Sequence, residues 1–208
     1  LVQGFIRVPY KDIEAIRKIA EHNHTVVAVM LEMIQGEGGV NVADEAFQRD
    51  LRALCDDKGW LMICDEVQCG MGRTGKWFGW QHAGTRPDVM TLAKGLASGV
   101  PIGACVTSGL AKGLFGPGNH GSTFGGNPLA CAAGLATFDA IVEDELMDNA
   151  VAVGAAIRKG MAEALAGEAG VVDIRGRAAE MGLYTLWNIL ISQTECDRLV
   201  NLLPGTTK

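Results

Sequence analysis

One lysine of this sequence stands in an apolar setting. Lys94 lies in the segment TLAKGLASGVPIG (91–103), where its neighbours for several residues are apolar or small. A lysine in an apolar pocket loses its proton readily and can then attack a carbonyl carbon to form a Schiff base. A lysine at a strand end can instead extend its ammonium group into solvent while its stem packs on apolar surface. The first interpretation makes Lys94 a catalytic residue.

Two acids directly follow an apolar run earlier in the chain. The segment LMICDEVQCGMGRTG (61–75) places Asp65 and Glu66 between that run and a glycine-rich stretch. Asp65 can cap the next turn with its side chain. It can also hold a cationic ring nitrogen, such as the protonated pyridine of pyridoxal phosphate, whose positive ring withdraws electrons from a substrate carbanion. The second interpretation predicts a cofactor site that contains both Asp65 and Lys94.

A third segment offers hydroxyl groups and exposed backbone amides. In NHGSTFGGNPLAC (119–131), Ser122 and Thr123 stand among glycines, and a helix is predicted to begin at Pro128. Such a loop suits a phosphate or another anion. An ordinary turn before a capped helix explains the same residues equally well.

Helix and strand patterns that position these residues alternate through the first two-thirds of the chain. The predicted strands are the apolar runs at 25–31, 60–64, 88–92 and 102–108, the first of them expected to be buried on both faces. The predicted helices begin at the capping residues Asp12, Asp44 and Asn127, and a further helix covers roughly 146–166. This alternation predicts an α/β fold with a largely parallel sheet.

Ligands of such sheets bind outside the carboxyl ends of the strands. Glu32, Asp65 and Lys94 each closely follow a different predicted strand. We therefore expect carboxylates, the Gln68 amide and one lysine to meet at a common edge of the sheet.

Composition disfavours several other classes of protein. The formal net charge is −6 and no basic block occurs, so nucleic acid is not expected as a partner. No apolar run reaches the roughly 18 residues that span a membrane. The six cysteines form no CxxC pair, which favours free thiols in a reducing, cytoplasmic setting. His22 and His24 lack further ligands at metal-binding spacing, so no metal site is expected.

Five ordered motifs together resemble one enzyme family: MLEMIQGEGGV, DEVQCGMGRTG, TLAKGL, PIGA and HGSTFGGNPLAC. They are similar to the class III pyridoxal-phosphate aminotransferases, and within them to the branch that uses N-acetylornithine. The resemblance covers residues 1 to about 177. It implies part of a fold-type I large domain at 1–145, and at 146–208 a linking helix followed by the remnant of a small C-terminal α+β domain.

The resemblance also implies roles for individual residues. The implied cofactor-binding residues are Asp65, Glu66, Val67, Gln68, Lys94 and Thr123. Lys94 is expected to bond covalently to pyridoxal phosphate and to move the substrate proton, while Asp65 binds the pyridine nitrogen and Gln68 the phenolic oxygen. Thr123 is expected to reach the cofactor phosphate of a neighbouring subunit in a homodimer. Ser122 and Glu37 are expected to lie at the substrate.

The implied reaction transfers the ω-amino group of N-acetylornithine, or of a similar donor, to 2-oxoglutarate and gives glutamate, a step of arginine biosynthesis. Ornithine, succinylornithine and 4-aminobutyrate are alternative donors. An inactive or cofactor-free fragment of such an enzyme is the alternative of another class. A nicotinamide-binding domain is disfavoured because no GxGxxG follows a strand.

Three departures from the family pattern bear on activity. The family's early phosphate-binding, ring-stacking and substrate-arginine segments have no counterpart, so the sequence is expected to hold only part of a family chain. After DIRGR (173–177) the family's usual strand and helix are expected to be absent. Asn201 replaces a family arginine, and an asparagine cannot form a charged bidentate clamp.

Overall fold

A computed structural model of the chain describes residues 3–168 and 170–185. The helices are α1 (Ile13–His22), α2 (Glu45–Lys58), α3 (Pro128–Glu143) and α4 (Leu146–Ala164). The strands are β1 (Ala28–Glu32), β2 (Ile34–Gln35), β3 (Asn41–Val42), β4 (Leu61–Asp65), β5 (Val89–Leu92), β6 (Ala104–Thr107), β7 (Val171–Arg177) and β8 (Glu180–Thr185). The predicted α/β fold is confirmed.

Three helices begin where their capping residues predict. Asp12 accepts a hydrogen bond from the Ala15 amide at 2.9 Å, which satisfies one of the free amides of the first turn of α1. Asp44 does the same for α2, with the Phe47 amide at 2.8 Å. Asn127 caps α3 and is followed by proline at the first helical position. These starts depend on local chemistry, and all three predictions are confirmed.

The main sheet has four strands in the order β1-β4-β5-β6. β1, β4 and β5 run parallel, as predicted, whereas β6 runs antiparallel to β5. The reason is the connection, because residues 93–103 form only a short 3-10 turn and a loop, whereas a parallel crossover needs a dozen or more residues. β6 therefore turns back along β5.

The first strand differs from its prediction in two ways. It begins at Ala28 rather than 25, because the Thr25 amide and hydroxyl both donate to the Asn23 side chain in a local turn. The strand is also not buried on both faces, since the Met30 side chain is 56% exposed. In the described part of the chain β1 pairs with β4 alone, so it lies at an edge of the sheet. The prediction that this run is buried on both faces is wrong.

The principal core lies between α1, α2 and one face of the sheet. Its fully buried members include Leu51, Cys55, Met62 and Cys64. A smaller cluster of Met90, Leu92 and Leu96 lies along the same face, since Met90 is in register with Cys64, and it packs with apolar residues such as Phe138 of α3. β4 and β5 are thus held by helices packed on one face, which fixes the positions at which these strands end.

The end of the described chain forms a hairpin that the sequence analysis did not expect. β8 pairs antiparallel with β7, so the strand expected to be absent after 173–177 is present. The Ala179 amide donates to the Arg73 carbonyl, and Arg177 forms an ion pair with Glu45. The hairpin therefore contacts both α2 and the glycine-rich segment that follows β4. The division into domains at 145 and 146 stays a prediction.

A glycine in α4 gives the docking of this hairpin a direct test. A Cβ atom at Gly154 would overlap the carbonyl group of Ala178, whereas a Cβ atom at Gly160 of the same helix meets no atom within 4 Å. Gly154→Ala is expected to lower the free energy of unfolding by about 1–3 kcal/mol through overpacking. Gly160→Ala is expected to raise it by about 0.5–1 kcal/mol, because alanine is the better helix former.

Urea unfolding of both variants against the unsubstituted chain measures these effects. Equal effects of the two substitutions would contradict the packing of α4 on the hairpin.

Within the described residues, none of the helices combines the length and the apolar character needed to cross a membrane.

Candidate active site

The carboxyl ends of three parallel strands lie side by side. Glu32, the last residue of β1, is in register with Asp65, the last residue of β4, and Asp65 is in register with Thr91 of β5. Lys94 follows two residues after the end of β5. The common edge expected from the sequence therefore exists, and we call Asp65, Gln68 and Lys94 the rim residues.

A hydrogen bond joins two of the rim residues. The Nζ atom of Lys94 donates to Oε1 of Gln68 at 2.7 Å, across 26 positions of sequence. Lys94 also has a φ of +44°, in the left-handed region that non-glycine residues rarely adopt. Such conformations concentrate at functional sites, where the surrounding structure holds them in place.

The surroundings of Lys94 differ from the apolar pocket expected from its sequence neighbours. Lys94 is exposed, whereas Leu92, Leu96 and Ala97 are buried. Those neighbours belong to the core under the sheet and α3, and the turn at Lys94 directs its side chain away from them towards Gln68. The apolar sequence therefore reports packing of the turn rather than a pocket around the amine.

The two carboxylate oxygens of Asp65 have different surroundings. Its Oδ1 accepts a hydrogen bond from the Val67 amide at 3.0 Å, which is the turn-capping contact predicted from the sequence. Its Oδ2 accepts no hydrogen bond from the described residues. The capping interpretation and the ligand-binding interpretation are therefore compatible, because one carboxylate can serve both.

Glu66, the next residue, faces the protein interior. Its side chain is 1% exposed and accepts hydrogen bonds from the backbone amides of Gly79 (2.8 Å) and Trp80 (3.0 Å). The thiol of Cys69 donates to the same carboxylate at 3.0 Å. Burial raises the pKa of Glu66 above its ordinary value, while these donors oppose the rise. None of the three donors belongs to the rim residues.

The remaining predicted site residues lie in exposed loops. Ser122 accepts a hydrogen bond from the Gly125 amide at 3.0 Å, and Thr123 beside it is exposed. Glu37 is exposed in the loop between β2 and β3. No contact in the described structure joins these three residues to the rim residues. Asn201 lies outside the described residues.

Two contacts at the edge escaped the sequence analysis. The Tyr10 hydroxyl donates to the carbonyls of Glu32 (2.9 Å) and Met33 (3.2 Å), and burial raises the pKa of Tyr10. A Cβ atom at Gly36 would lie 2.6 Å from Cγ of Gln68, so only glycine lets this loop approach the rim. The glycines of QGEGG gave a signal for the second contact, whereas nothing in the sequence indicated the first.

The described residues do not enclose the rim. A cavity of about 710 Å³ lies instead at the amino end of β5, lined by residues that include Arg52, Asp88 and Lys112. No rim residue lines it. The rim residues thus converge on an open edge of the sheet. In the described ranges no group of histidines, cysteines and acids is arranged to hold a metal ion.

His82 makes the glycine-rich loop beside the rim sensitive to pH. Its ring contacts the Thr74 hydroxyl at 3.1 Å, and burial, followed by the charge of Arg177, lowers its pKa to about 4. The unfolded chain then binds a proton that the folded chain does not, so stability falls as pH drops from about 6.5 towards about 4. We expect a loss of about 1 kcal/mol between about pH 7 and pH 5, reduced for the partial exposure of the ring.

Urea unfolding at several pH values tests this expectation. His82→Gln should flatten the dependence in this window, whereas His24→Gln, at an exposed position, should retain it. An unchanged slope in His82→Gln would contradict the assignment.

The class-III aminotransferase family profile matches residues 4–196. The chain belongs to this family. It is 57% identical over 180 residues to acetylornithine aminotransferase 1 of Bordetella bronchiseptica, which covers 86% of this chain and 46% of the relative. It is 54% identical over 183 residues to acetylornithine aminotransferase of Nitrosomonas europaea, covering 88% and 47%. The chain thus spans about half the length of the curated relatives that it matches.

Solved structures of the family share the fold. Ornithine aminotransferase of Toxoplasma gondii ME49 superposes with a TM-score of 0.81 at 37% identity, over 85% of this chain and 42% of that one. Acetylornithine aminotransferase of Elizabethkingia anophelis gives a TM-score of 0.79 at 37% identity, over 84% and 44%. The fold-type I architecture expected from the sequence is therefore confirmed.

Class-III aminotransferases depend on pyridoxal phosphate, and the donor set at the rim fits this group. Asp65 has a free carboxylate oxygen for a cationic ring nitrogen. The Lys94 amine and the Gln68 amide are in direct contact, so both can reach one small ring. The carboxylate, the amide and the primary amine also stand at the carboxyl ends of the strands, where α/β sheets bind ligands.

Proposed function

We propose that this chain carries the lysine side of the active site of an aminotransferase that moves the ω-amino group of N-acetylornithine to 2-oxoglutarate. Glutamate is the second product, and arginine biosynthesis is the proposed setting. The observation that supports this most is the contact of Lys94 with Gln68 at the edge where Asp65 ends β4. The relatives named acetylornithine aminotransferase support the choice of donor.

Each rim residue has a distinct task in this proposal. Lys94 would hold the cofactor covalently through Nζ, and the same atom would take and return the substrate proton. Asp65 keeps a proton on the cofactor ring nitrogen through its second carboxylate oxygen. Gln68 binds the phenolic oxygen through its amide. The bound cofactor supplies the electron sink.

The exposed residues complete the proposed site. Thr123 binds the cofactor phosphate of a neighbouring subunit, whereas Ser122 and Glu37 contact the substrate. The exposed apolar side chains of Leu129 and Leu135 on α3, 74% and 67% exposed, support a homodimer because such surface favours burial against another chain. Cys55 and Cys64 are free thiols, which supports the proposed cytoplasmic location.

Ornithine is the second candidate donor. Its support is the close superposition on ornithine aminotransferases, with TM-scores of 0.79 for the Plasmodium yoelii enzyme and 0.81 for the Toxoplasma gondii ME49 enzyme. The two donors differ at the α-amino group, which is acetylated and uncharged in one and cationic in the other. A kinetic comparison of the two donors distinguishes them.

The test is a comparison of donors with the chain incubated with pyridoxal phosphate and 2-oxoglutarate. Glutamate is measured with N-acetylornithine, ornithine, succinylornithine or 4-aminobutyrate as donor. We expect N-acetylornithine to have the highest kcat/KM and Lys94→Ala to abolish transfer, while Lys112→Ala, at an exposed position outside the rim, retains it. A higher kcat/KM with ornithine would replace the donor, and transfer by Lys94→Ala equal to that of the unsubstituted chain would overturn the proposal.

A further inference from the structure

The carboxylate of Glu66 is completely buried, and no cation among the described residues forms an ion pair with it. Its polar partners are the Gly79 and Trp80 amides and the Cys69 thiol. A buried carboxylate is costly unless hydrogen bonds replace its water, and a well-packed apolar residue would often serve stability equally well. A purely structural role therefore does not require a carboxylate at this position.

The packing around this carboxylate leaves no spare room. A Cβ atom at Gly79 would lie 3.1 Å from Sγ of Cys69 and 3.4 Å from Oε1 of Glu66. A Cβ atom at Gly70 would lie 2.6 Å from the Glu66 carbonyl oxygen. Glycine at both positions lets the backbone close on Glu66, so the side chain has a single defined position.

Glu66 also anchors the turn that carries Gln68. Its amide donates to the Thr91 carbonyl at 3.0 Å, which continues the pairing of β4 with β5 beyond Asp65. Its carbonyl accepts from the Gly70 amide at 2.9 Å and closes the turn 66–70. Gln68 lies in the middle of this turn and accepts from Lys94 at 2.7 Å.

We propose that Glu66 is a positioning residue. Its buried carboxylate holds the turn 66–70 against the Gly79–Trp80 backbone, and this turn places Gln68 where it binds the Lys94 amine. The turn 66–70 thus connects the interior carboxylate of Glu66 with Gln68, which contacts the exposed Lys94. This inference rests on the proposed function only for the importance of Lys94. The resemblance implied that Glu66 is a cofactor-binding residue, whereas the role proposed for it now needs no contact with the cofactor.

The test measures the reactivity of Lys94 without any cofactor. The chain is treated with a small amine-acylating reagent, and labelling rates of individual lysines are read from peptides by mass spectrometry, with Lys112 as internal reference. Gln68→Ala removes the acceptor of Lys94 and sets the full effect. We expect the acylation rate of Lys94 to rise about fivefold, the equivalent of losing one hydrogen bond that restrains the amine. Glu66→Gln keeps the size but loses acceptor capacity, and we expect most of the same change.

The matched control is Glu45→Gln, the same substitution at a half-exposed position of α2, which should leave the Lys94 rate within about twofold. Glu66→Asp, which keeps the charge but shortens the side chain, should give an intermediate rate. It also provides a second variant if Glu66→Gln does not fold, which amide exchange in β4 detects. An intermediate rate for Glu66→Asp then supports the proposal.

Amide exchange at Gly79 and Trp80 separates positioning from simple support. Faster exchange there in Glu66→Gln together with an unchanged Lys94 rate would overturn the proposal, because the carboxylate would then hold only the 79–80 backbone. A Lys94 rate in Glu66→Asp equal to that of the unsubstituted chain would overturn it as well. Failure of cofactor trapping at Lys94 would sink the proposed function but leave this measurement intact, since no cofactor takes part.

Discussion

Asp88→Ala is expected to lower the free energy of unfolding by about 3–5 kcal/mol, the effect of breaking a buried ion pair. Asp88 is 6% exposed and binds three parts of the chain at once. Its Oδ2 accepts from Arg52 of α2 at 2.8 Å and from the Met62 amide of β4 at 2.9 Å, and its Oδ1 accepts from the Leu110 amide at 3.1 Å. Alanine would leave these donors without their acceptor.

The control for Asp88 is the other acid that binds the same arginine. Asp56 pairs with Arg52 at 2.7 Å, but its side chain is 66% exposed, so Asp56→Ala should change stability by less than about 1 kcal/mol. Urea unfolding compares the two variants at neutral pH. Similar losses in both would contradict the assignment of Asp88 as the buried link.

The effect of Asp88→Ala should also depend on pH. Burial by itself raises the pKa of Asp88, but hydrogen bonds from Met62, Arg52 and Leu110 together lower it below its ordinary value. A lowered carboxyl pKa contributes stability above the pKa of the unfolded chain, near 4, and this contribution disappears as pH falls through the folded value. The difference between Asp88→Ala and the unsubstituted chain should therefore shrink below about pH 4.

Asp65→Asn is expected to lower the rate of amino transfer by about 10²–10³-fold. Asparagine has the same shape, and its carbonyl oxygen can still accept from the Val67 amide, so the turn is expected to survive. What it loses is the negative charge that keeps a proton on the cofactor ring nitrogen. The substitution should therefore lower kcat and leave the free energy of unfolding nearly unchanged.

Steady-state kinetics of Asp65→Asn with N-acetylornithine and 2-oxoglutarate measure this effect. Asp50→Asn, the same substitution at an exposed position in α2, serves as the control and should retain the original kcat. A kcat for Asp65→Asn within about threefold of the control would contradict a role for Asp65 at the ring nitrogen.

The parts of the fold that depend on local chemistry could be predicted from the sequence. Asp12, Asp44 and Asn127 each cap a helix where the sequence places it, because capping involves residues only three positions apart. The strand ends that carry Asp65 and Lys94 were also predictable, since parallel strands of an α/β sheet finish at one edge.

Features that depend on distant partners could not be predicted in the same way. The apolar run at β1 does not reveal that Met30 faces outward, because this depends on which strands pair with β1. The apolar neighbours of Lys94 indicated a pocket, although they pack under the turn and leave the amine exposed. The β8 strand forms through pairing with β7, which its own pattern did not indicate.

The candidate site divides along the same line. The types and spacing of Asp65, Gln68 and Lys94 predicted their convergence. The buried partners of Glu66 could not be predicted, because Gly79 and Trp80 lie more than a dozen residues away in an irregular segment. Adjacent acids of similar chemistry thus face opposite sides of the sheet end, a difference that only the three-dimensional structure reveals.

The most direct test of the account is chemical trapping at Lys94. The chain is incubated with pyridoxal phosphate and reduced with borohydride, which makes the covalent bond between cofactor and amine permanent, and the labelled peptide is identified by mass spectrometry. The account predicts label on Lys94, greatly reduced label in Asp65→Asn, and none at that peptide in Lys94→Ala. Label spread over exposed lysines such as Lys112, with Lys94 no more labelled than they are, would contradict it.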